Sequence, residues 1–423
     1  MMKNKLITDY NEIVNIIGED YKDLASIYND KFGIVNAILE RNELEKYNLK
    51  MFQCLSANAK DLFGLSREVS SGGLGVDNSE KSALIGCLAE ALERYSMSFI
   101  SQDDLVFEYF NNLKEEHRIS NFYTYSEEQY KNSLFSNPKT EKIYWTKINS
   151  IDNLNYKYWP ASLIYLPFDL KNPVAETTST GMAAGVTIYD CIKSGLLELI
   201  ERDALMINFL QRLNPPEIDI NSLIGEAKLL IDKIKNEYKI KIYKLYTDIN
   251  VPVFLSYIYK EENGKIHYGI GASASLNSNY AIQKSIKECL FTYFYSKNLL
   301  PYRKDNPEEI NTLYEHFLYY QGEKFKELLF NGEIIKYNEE SVELEEVVKS
   351  LKGKGIEVYY KELTTEDIVQ TNIKVVKVIA PGLIDLNKSH NLPRLGATRF
   401  WGVPQKLKLK YNKELSKMPH PFP

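Results

Sequence analysis

Cysteine is scarce: the chain has four in 423 residues, Cys54, Cys87, Cys191 and Cys289, with no C-x-x-C pair. That excludes a disulfide framework and a thiolate zinc site, and the four read as small buried side chains. Histidine is almost as sparse. His117, His267, His316, His390 and His420 never fall at ligand spacing, which argues against a His-built metal centre or a Ser-His-Asp hydrolase. No run of about 18 apolar residues occurs, so no membrane-spanning helix is expected. The opening MMKNKLITDYNEIV lacks the apolar stretch of a signal peptide, and a cytoplasmic location is expected. Basic excess is missing too. With 57 acidic and 52 basic residues the net charge is −5, which speaks against nucleic-acid coating or polybasic membrane binding. There is no low-complexity tract, no Walker A sequence and no kinase-type glycine loop. What remains is 44% hydrophobic and 26% charged residues, enough for a large core, with acidic side chains as the carriers of chemistry.

Residues 1–50 alternate charged and apolar positions as short helical stretches do, and 103–158, rich in Tyr, Asn and Lys, read as a surface region. Tyr158–Phe168 has the composition of a strand closed by proline. Leu213-Asn-Pro-Pro216 stops a helix. Ile240–Tyr246 and Val251–Tyr259 read as neighbouring strands, 306–355 as helical, and Ile373–Leu383 as a buried strand ending in Pro381-Gly382.

An internal echo stands out. Gly72-Gly-Leu-Gly-Val-Asp77 leads into a helical stretch ending Glu90-Ala-Leu-Glu93-Arg94. Ser179-Thr-Gly-Met-Ala-Ala-Gly185 leads into one ending Glu198-Leu-Ile-Glu201-Arg202. A weaker third copy runs from Gly269-Ile-Gly271-Ala-Ser-Ala274 to a helix containing Glu288. The design predicts three small-residue loops, each feeding a helix that presents carboxylates to one common site.

Positions i, i+3 and i+4 share a helix face, so Glu90, Glu93 and Arg94 project together, as do Glu198, Glu201 and Arg202. An exposed salt-bridged face is the usual fate of such triplets. Here the flanking residues, Leu84, Leu88, Ala91 and Leu92 in one helix and Leu196, Leu197, Leu199 and Ile200 in the other, are apolar nearly all round, the mark of a buried helix. Buried carboxylates need cations. One Arg per two Glu leaves negative charge over, and Mg²⁺ with its oxygen preference is the natural complement. Mg²⁺ held by few carboxylates usually also binds phosphate, and glycine turns at helix N-termini offer N–H groups to anions. The combination suggests a nucleoside triphosphate.

With these motifs the sequence resembles the YcaO superfamily of ATP-dependent enzymes that modify backbone amides, from about residue 50 onward. The signature S-x-x-x-E-x-x-E-R is met by Ser194, Glu198, Glu201 and Arg202, and the first copy carries Gly86 in place of the Ser. The S-N-G-x-A-x-G loop appears as Ser179–Gly185 with Thr180 for Asn. The resemblance implies a mixed α/β fold with two related halves of sheet and helices around a central ATP site. It divides the chain into an N-terminal helical segment, 1–50, and an ATP-binding catalytic domain, 51–423. It also implies ATP contacts from Glu90, Glu93, Arg94, Ser179, Asp190, Glu198, Glu201, Arg202, Glu288 and Lys377, with Glu90, Glu93, Asp190, Glu198 and Glu201 on Mg²⁺. Two positions depart from the family pattern: Leu74 where a basic residue is usual, and Phe291 where Gln is usual.

The last residues, Pro419-His-Pro421-Phe-Pro423, are similar to the P-x-P-x-P signature of azoline-forming cyclodehydratase D proteins of thiazole/oxazole-modified microcins. Pro393–Pro404 resembles the streptolysin-type docking-scaffold branch. By that resemblance a Cys, Ser or Thr of a ribosomal precursor peptide attacks the preceding carbonyl, the oxyanion takes the γ-phosphate of ATP, and loss of phosphate leaves an azoline. Pro419, His420, Pro421 and Pro423 would then belong to the catalytic region, placing His420 or the chain-terminal carboxylate beside the reacting amide for proton transfer, and removing them is expected to make ring formation fall steeply while leaving nucleotide binding largely intact. A polyproline segment with no role beyond a frayed end is the plain alternative. The resemblance further implies a separate leader-binding C protein of ubiquitin-activating-enzyme type and a flavin-dependent dehydrogenase. A homodimer is left open. A non-catalytic docking scaffold and thioamide or amidine formation are the rival readings.

Overall fold

The computed structural model describes residues 4–65, 72–119, 121, 124–152 and 154–423. The fold is mixed α/β with three sheets. The chain forms two compact units: Met1–Asn121, Tyr130–Leu196 and Val358–Ala380 make the first, and Phe122–Gln129, Leu197–Glu357 and Pro381–Pro423 the second.

The first unit begins with an antiparallel sheet of β1 (Lys5–Ile7), β2 (Val35–Arg41), β3 (Lys50–Ser56) and β4 (Gly72–Asp77), in that order. Between β1 and β2 lie α1 (Tyr10–Ile17) and α2 (Lys22–Ala25), and α3 (Ala59–Phe63) follows β3. The expected helical segment over 1–50 is thus corrected in part. The pattern of Val35-Asn-Ala-Ile-Leu-Glu-Arg41 is resolved by pairing, because Ile38 and Leu39 lie opposite Cys54 and Gln53 of β3. Helix α4 (Glu80–Ser96) packs on this sheet, with Ser79 Oγ accepting the Ser82 N–H at its start.

A six-stranded sheet completes the unit: β5 (Leu105–Tyr109), β6 (Lys142–Ser150), β14 (Tyr359–Glu362), β15 (Lys374–Ile379) and β8 (Met182–Gly185) in order, with β7 (Tyr156–Pro160) paired to β6. Part of the region read as surface therefore lies in a core. Ile143, Trp145 and Ile148 of β6 are fully buried, and the Trp145 indole N–H donates to Glu108 O at 2.9 Å. The strand expected at Tyr158–Phe168 is β7, shifted toward the N-terminus, and the buried strand expected at Ile373–Leu383 is β15.

The second unit holds β12 (Lys265–Ala274), β11 (Val253–Glu262), β10 (Lys239–Lys244), β9 (Glu217–Ile218) and β13 (Ile334–Ile335) in that order. β10 and β11 are the expected neighbours, antiparallel, with Ile242 opposite Ser256. β11 and β12 join through Asn263-Gly264, both at positive φ, as a two-residue hairpin requires. Helix α7 (Gly225–Ile234) packs against α8 (Ser278–Leu299), which itself covers β12. Helices α9 (Leu313–Tyr319), α10 (Leu344–Lys352) and α12 (Arg399–Lys406) complete this unit, and α11 (Glu366–Val369) belongs to the first. The short α5 (Glu127–Lys131) and the long α6 (Ile188–Leu210) each cross the division along the chain. α6 ends just before the proline stop, as expected.

The glycine-rich segments 72–77 and 269–274 are strands, not loops. A Cβ on Gly73 or Gly75 would sit 1.8 Å from the Cys87 or Ala83 carbonyl oxygen of α4. One on Gly269 or Gly271 would sit 2.0 or 2.1 Å from the Cys289 or Ser285 carbonyl oxygen of α8. Glycine is used there so that a helix can lie directly on a strand. The match between β4–α4 and β12–α8 makes these two the nearest internal copies.

Gly73→Ala should therefore destabilise the first unit by about 1–3 kcal/mol, since backbone on both sides must shift. Gly86→Ala, on the exposed face of α4 where a new Cβ has 3.9 Å of clearance, should stabilise it by roughly 0.5–1 kcal/mol. Urea midpoints of the two variants moving in the same direction would contradict this account.

Candidate functional site

Two groups of the sequence-marked residues are assembled, one in each unit. In the first, Glu90 on α4 accepts the Leu74 N–H of β4 at 2.9 Å through Oε2, while its Oε1 takes Arg94 Nη2 at 2.6 Å and Nε at 3.1 Å. Glu93, one turn on, accepts the Ala184 N–H of β8 at 2.7 Å. The glycine strand thus gives a backbone N–H to a carboxylate rather than presenting it to an anion. Asp190 lies in the first turn of α6. Its Oδ2 accepts the Thr187 hydroxyl at 2.7 Å, and Thr187 Oγ1 accepts the Asp190 N–H at 3.1 Å. Glu93 and Asp190 both bear on Cys191, whose thiol is pushed up to about 12, first by burial and then by these two charges.

Ser179 closes a turn through its carbonyl to Met182 N at 2.9 Å. Gly181 follows at φ 83°, a conformation that favours glycine. Lys377 on β15 is buried and donates to Thr178 O at 2.9 Å, which brings it to the Ser179–Gly185 segment. Ser194 is exposed.

In the second unit, Glu201 is buried, accepting the Ala274 N–H at 3.0 Å through Oε2 and lying 2.8 Å from Arg202 Nη1 through Oε1. Glu198 pairs with Arg202 Nη2 at 3.3 Å. From α8, Glu288 accepts the Ala272 N–H at 3.0 Å, and Thr292 Oγ1 accepts the Ile270 N–H at 2.8 Å. Alternate N–H groups along the open side of β12 are thus met by Thr292, Glu288 and Glu201.

Three carboxylates here face two cations, Arg202 and Lys284. Burial, then Glu201, pushes the Glu288 carboxyl up to about 7 against the pull of Arg202 and Lys284. Burial raises Glu201 as well, opposed by Arg202. Lys284 is solvent-exposed on its helix; the surrounding protein acts to lower its ammonium pKa, but Glu201 and Glu288 outweigh it and the net shift is upward. Arg202 Nη1 is out of line for a hydrogen bond with Glu201, and Nε has no hydrogen-bond partner among the described residues. Surplus negative charge suits Mg²⁺, and buried guanidinium donors suit phosphate oxygens. Among the described residues no three His, Cys, Asp or Glu side chains form a ready metal cage.

Pro419–Phe422 is buried, not frayed. Tyr320 OH donates to Pro419 O at 2.6 Å, and His420 stacks on His316 with ring centres 4.0 Å apart. His420 Nε2 lies 2.8 Å from Asn387 O and Nδ1 accepts the Phe422 N–H at 3.3 Å, which sets the tautomer. Burial holds its pKa down at about 4. With both nitrogens engaged, His420 anchors the segment, which weighs against its expected proton-transfer role. Three of the five histidines, His316, His390 and His420, thus meet in space. Lys284 and Phe422, whose ring lies 4.2 Å from the Arg202 guanidinium carbon, are the residues that sequence spacing does not mark.

The family model described as YcaO cyclodehydratase, ATP- and Mg²⁺-binding, matches residues 74–384. The chain belongs to the YcaO family. YcaO proteins are ATP- and Mg²⁺-binding enzymes, and ATP and Mg²⁺ are the cofactors here. Among solved structures, a heterocyclase in complex with substrate and cofactor is similar at TM-score 0.74 and 20% identity, over 98% of this chain and 57% of that one. The chain thus spans little more than half the length of that relative. YcaO from Methanopyrus kandleri, bound with AMPPCP and Mg²⁺, is similar at TM-score 0.63 and 16% identity, over 89% and 91%. The E. coli microcin synthetase McbBCD complex with pro-MccB17 bound is similar at 0.67 and 16%, over 93% and 98%. No curated protein sequence matches the chain. Among the described residues no helix is long and apolar enough to cross a membrane.

Proposed function

We propose that this YcaO protein is the cyclodehydratase subunit that activates a backbone amide of a ribosomal precursor peptide to form thiazoline or oxazoline rings. The observation that carries the reading is the buried proline segment beside Arg202, within the carboxylate group of Glu198, Glu201 and Glu288. ATP supplies the phosphoryl group and Mg²⁺ offsets its charge. In this reading Glu198, Glu201 and Glu288 hold the cation, and Arg202 and Lys284 face phosphate oxygens. In the first unit Glu90, Glu93 and Asp190 would serve as cation ligands, with Arg94, Ser179 and Lys377 as nucleotide contacts. Pro419–Pro423 shapes the region where the amide is held and excludes water from it.

A leader-binding C protein delivers the precursor, and a flavin-dependent dehydrogenase acts on the azoline. The chain alone should therefore modify its precursor slowly and gain strongly when the leader-binding partner is added, through raised local concentration. Mass spectrometry of a co-expressed precursor decides: one water lost per ring is expected. Replacement of oxygen by sulfur would assign thioamide formation instead. An unchanged precursor without ATP turnover, partner present, would leave only a scaffold.

A further inference from the structure

Phe422 is 1% exposed, and its ring lies against the guanidinium of Arg202 at 4.2 Å. Arg202 is drawn toward Glu198 and Glu201 on one side, yet its Nε and Nη1 make no hydrogen bond among the described residues. A guanidinium so placed has a competing choice. Unsupported, it can swing fully onto the carboxylates, neutralise them and withdraw its donors from a bound anion. The flat face of an aromatic ring supports it without consuming a donor.

The segment bearing Phe422 is built to hold that ring still. Alternating prolines leave only His420 and Phe422 with backbone donors across Pro419–Pro423, so few polar groups need partners when it is buried. The Phe422 N–H goes to His420 Nδ1, His420 Nε2 goes to Asn387 O, and Tyr320 OH fixes Pro419 O. His316 stacks on His420 with the ring planes 10° apart. The segment that carries the ring is thus held by two stretches of chain distant in sequence, His316 with Tyr320 and Asn387.

We propose that Phe422 is a positioning residue that keeps the Arg202 guanidinium aimed at nucleotide phosphate, so that the proline segment governs nucleotide affinity as well as ring formation. This rests on the reading that Arg202 faces phosphate. It reverses the expectation that nucleotide binding survives loss of the segment.

The test is calorimetric titration of the full chain with a non-hydrolysable ATP analogue and Mg²⁺. Phe422→Leu keeps bulk and removes the aromatic face, and it should raise Kd about tenfold, the scale of a desolvated cation–π contact. Phe422→Tyr should restore wild-type affinity. Arg202→Lys keeps the charge and loses the planar stack, and adding Phe422→Leu to it should change Kd little further. Thermal midpoints identify any variant that merely unfolds, and if Phe422→Leu does so, the Phe422→Tyr and Phe422→Met pair carries the comparison. Wild-type affinity in a folded Phe422→Leu or Phe422→Met chain, with Arg202→Gln impaired, overturns the inference alone. Wild-type affinity in Arg202→Gln overturns it together with the reading beneath it.

Discussion

Replacing Arg399 with methionine should cost the second unit about 3–5 kcal/mol, the scale of removing one partner from a buried ion pair. Asp203 is fully buried. Its Oδ1 accepts Arg399 Nε at 2.8 Å and the Ile384 N–H at 3.0 Å, and its Oδ2 accepts Arg399 Nη2 at 2.6 Å. Arg399 also meets Asp248 at 2.8 Å. Without the guanidinium, Asp203 keeps one N–H for a buried charge. Asp203→Asn combined with Arg399→Met should recover part of the loss. Acid sensitivity should change as well. Burial acts to raise the Asp248 pKa, but Arg399 and then Lys406 outweigh it and hold the carboxyl below its ordinary value of 3.8. A carboxyl lowered on folding stabilises above that ordinary value, and the contribution is lost as pH falls through the lower folded one. Arg399→Met should flatten that acid limb. Urea unfolding at several pH values reads both effects, and a neutral-pH loss below about 1 kcal/mol would show the pair to be dispensable.

Glu201→Gln should weaken Mg²⁺-ATP binding by tenfold or more, the scale of losing a ligand or an ordering partner at a metal site. It should also move a titration. In the native chain Glu288 sits near pH 7 because burial and the Glu201 charge both oppose its ionisation. A carboxyl raised above its ordinary value of 4.5 binds more protons folded than unfolded, so it costs stability progressively as pH climbs from about 4.5 to 7. Cation affinity should rise over the upper part of that range as Glu288 gives up its proton. Removing the Glu201 charge should shift this rise to lower pH. Calorimetric Mg²⁺-ATP titrations across pH 5–8 measure affinity and midpoint together. An unmoved midpoint would mean that the two carboxyls do not sense each other.

The helices carrying these groups were legible because their information is local. Glu at i and i+3 with Arg at i+4 states the shared face, and the burial expected from the flanking Leu and Ala holds for Glu201 but not for Glu90 and Arg94, whose side chains are 31% and 42% exposed. The glycine segments were not legible as strands. Gly73 and Gly75 are required by carbonyl oxygens of α4 ten or so residues later in the chain, and local spacing cannot distinguish that from a turn. Trp145 was readable in principle, since Ile143 and Trp145 stand two apart as on one strand face, but the surrounding Tyr, Asn and Lys outweighed the pattern. Asn263-Gly264 likewise marks the β11–β12 hairpin in plain view. Phe422 beside Arg202 lay out of reach: the two are far apart in sequence, and no periodicity connects a proline segment to a helix face.

The carboxylates have a second consequence through the strands they touch. β4, β8 and β12 each lie at the end of a sheet, where unpaired N–H groups would otherwise invite another chain to add a strand. Glu90, Glu93, Glu288 and Glu201 accept N–H groups there, so the side chains proposed for the nucleotide region also cover the margins of three sheets. Substitution by Gln keeps an oxygen acceptor in place, whereas Ala leaves a bare margin open to intermolecular β-pairing. Alanine at these positions should therefore lower solubility independently of any effect on catalysis.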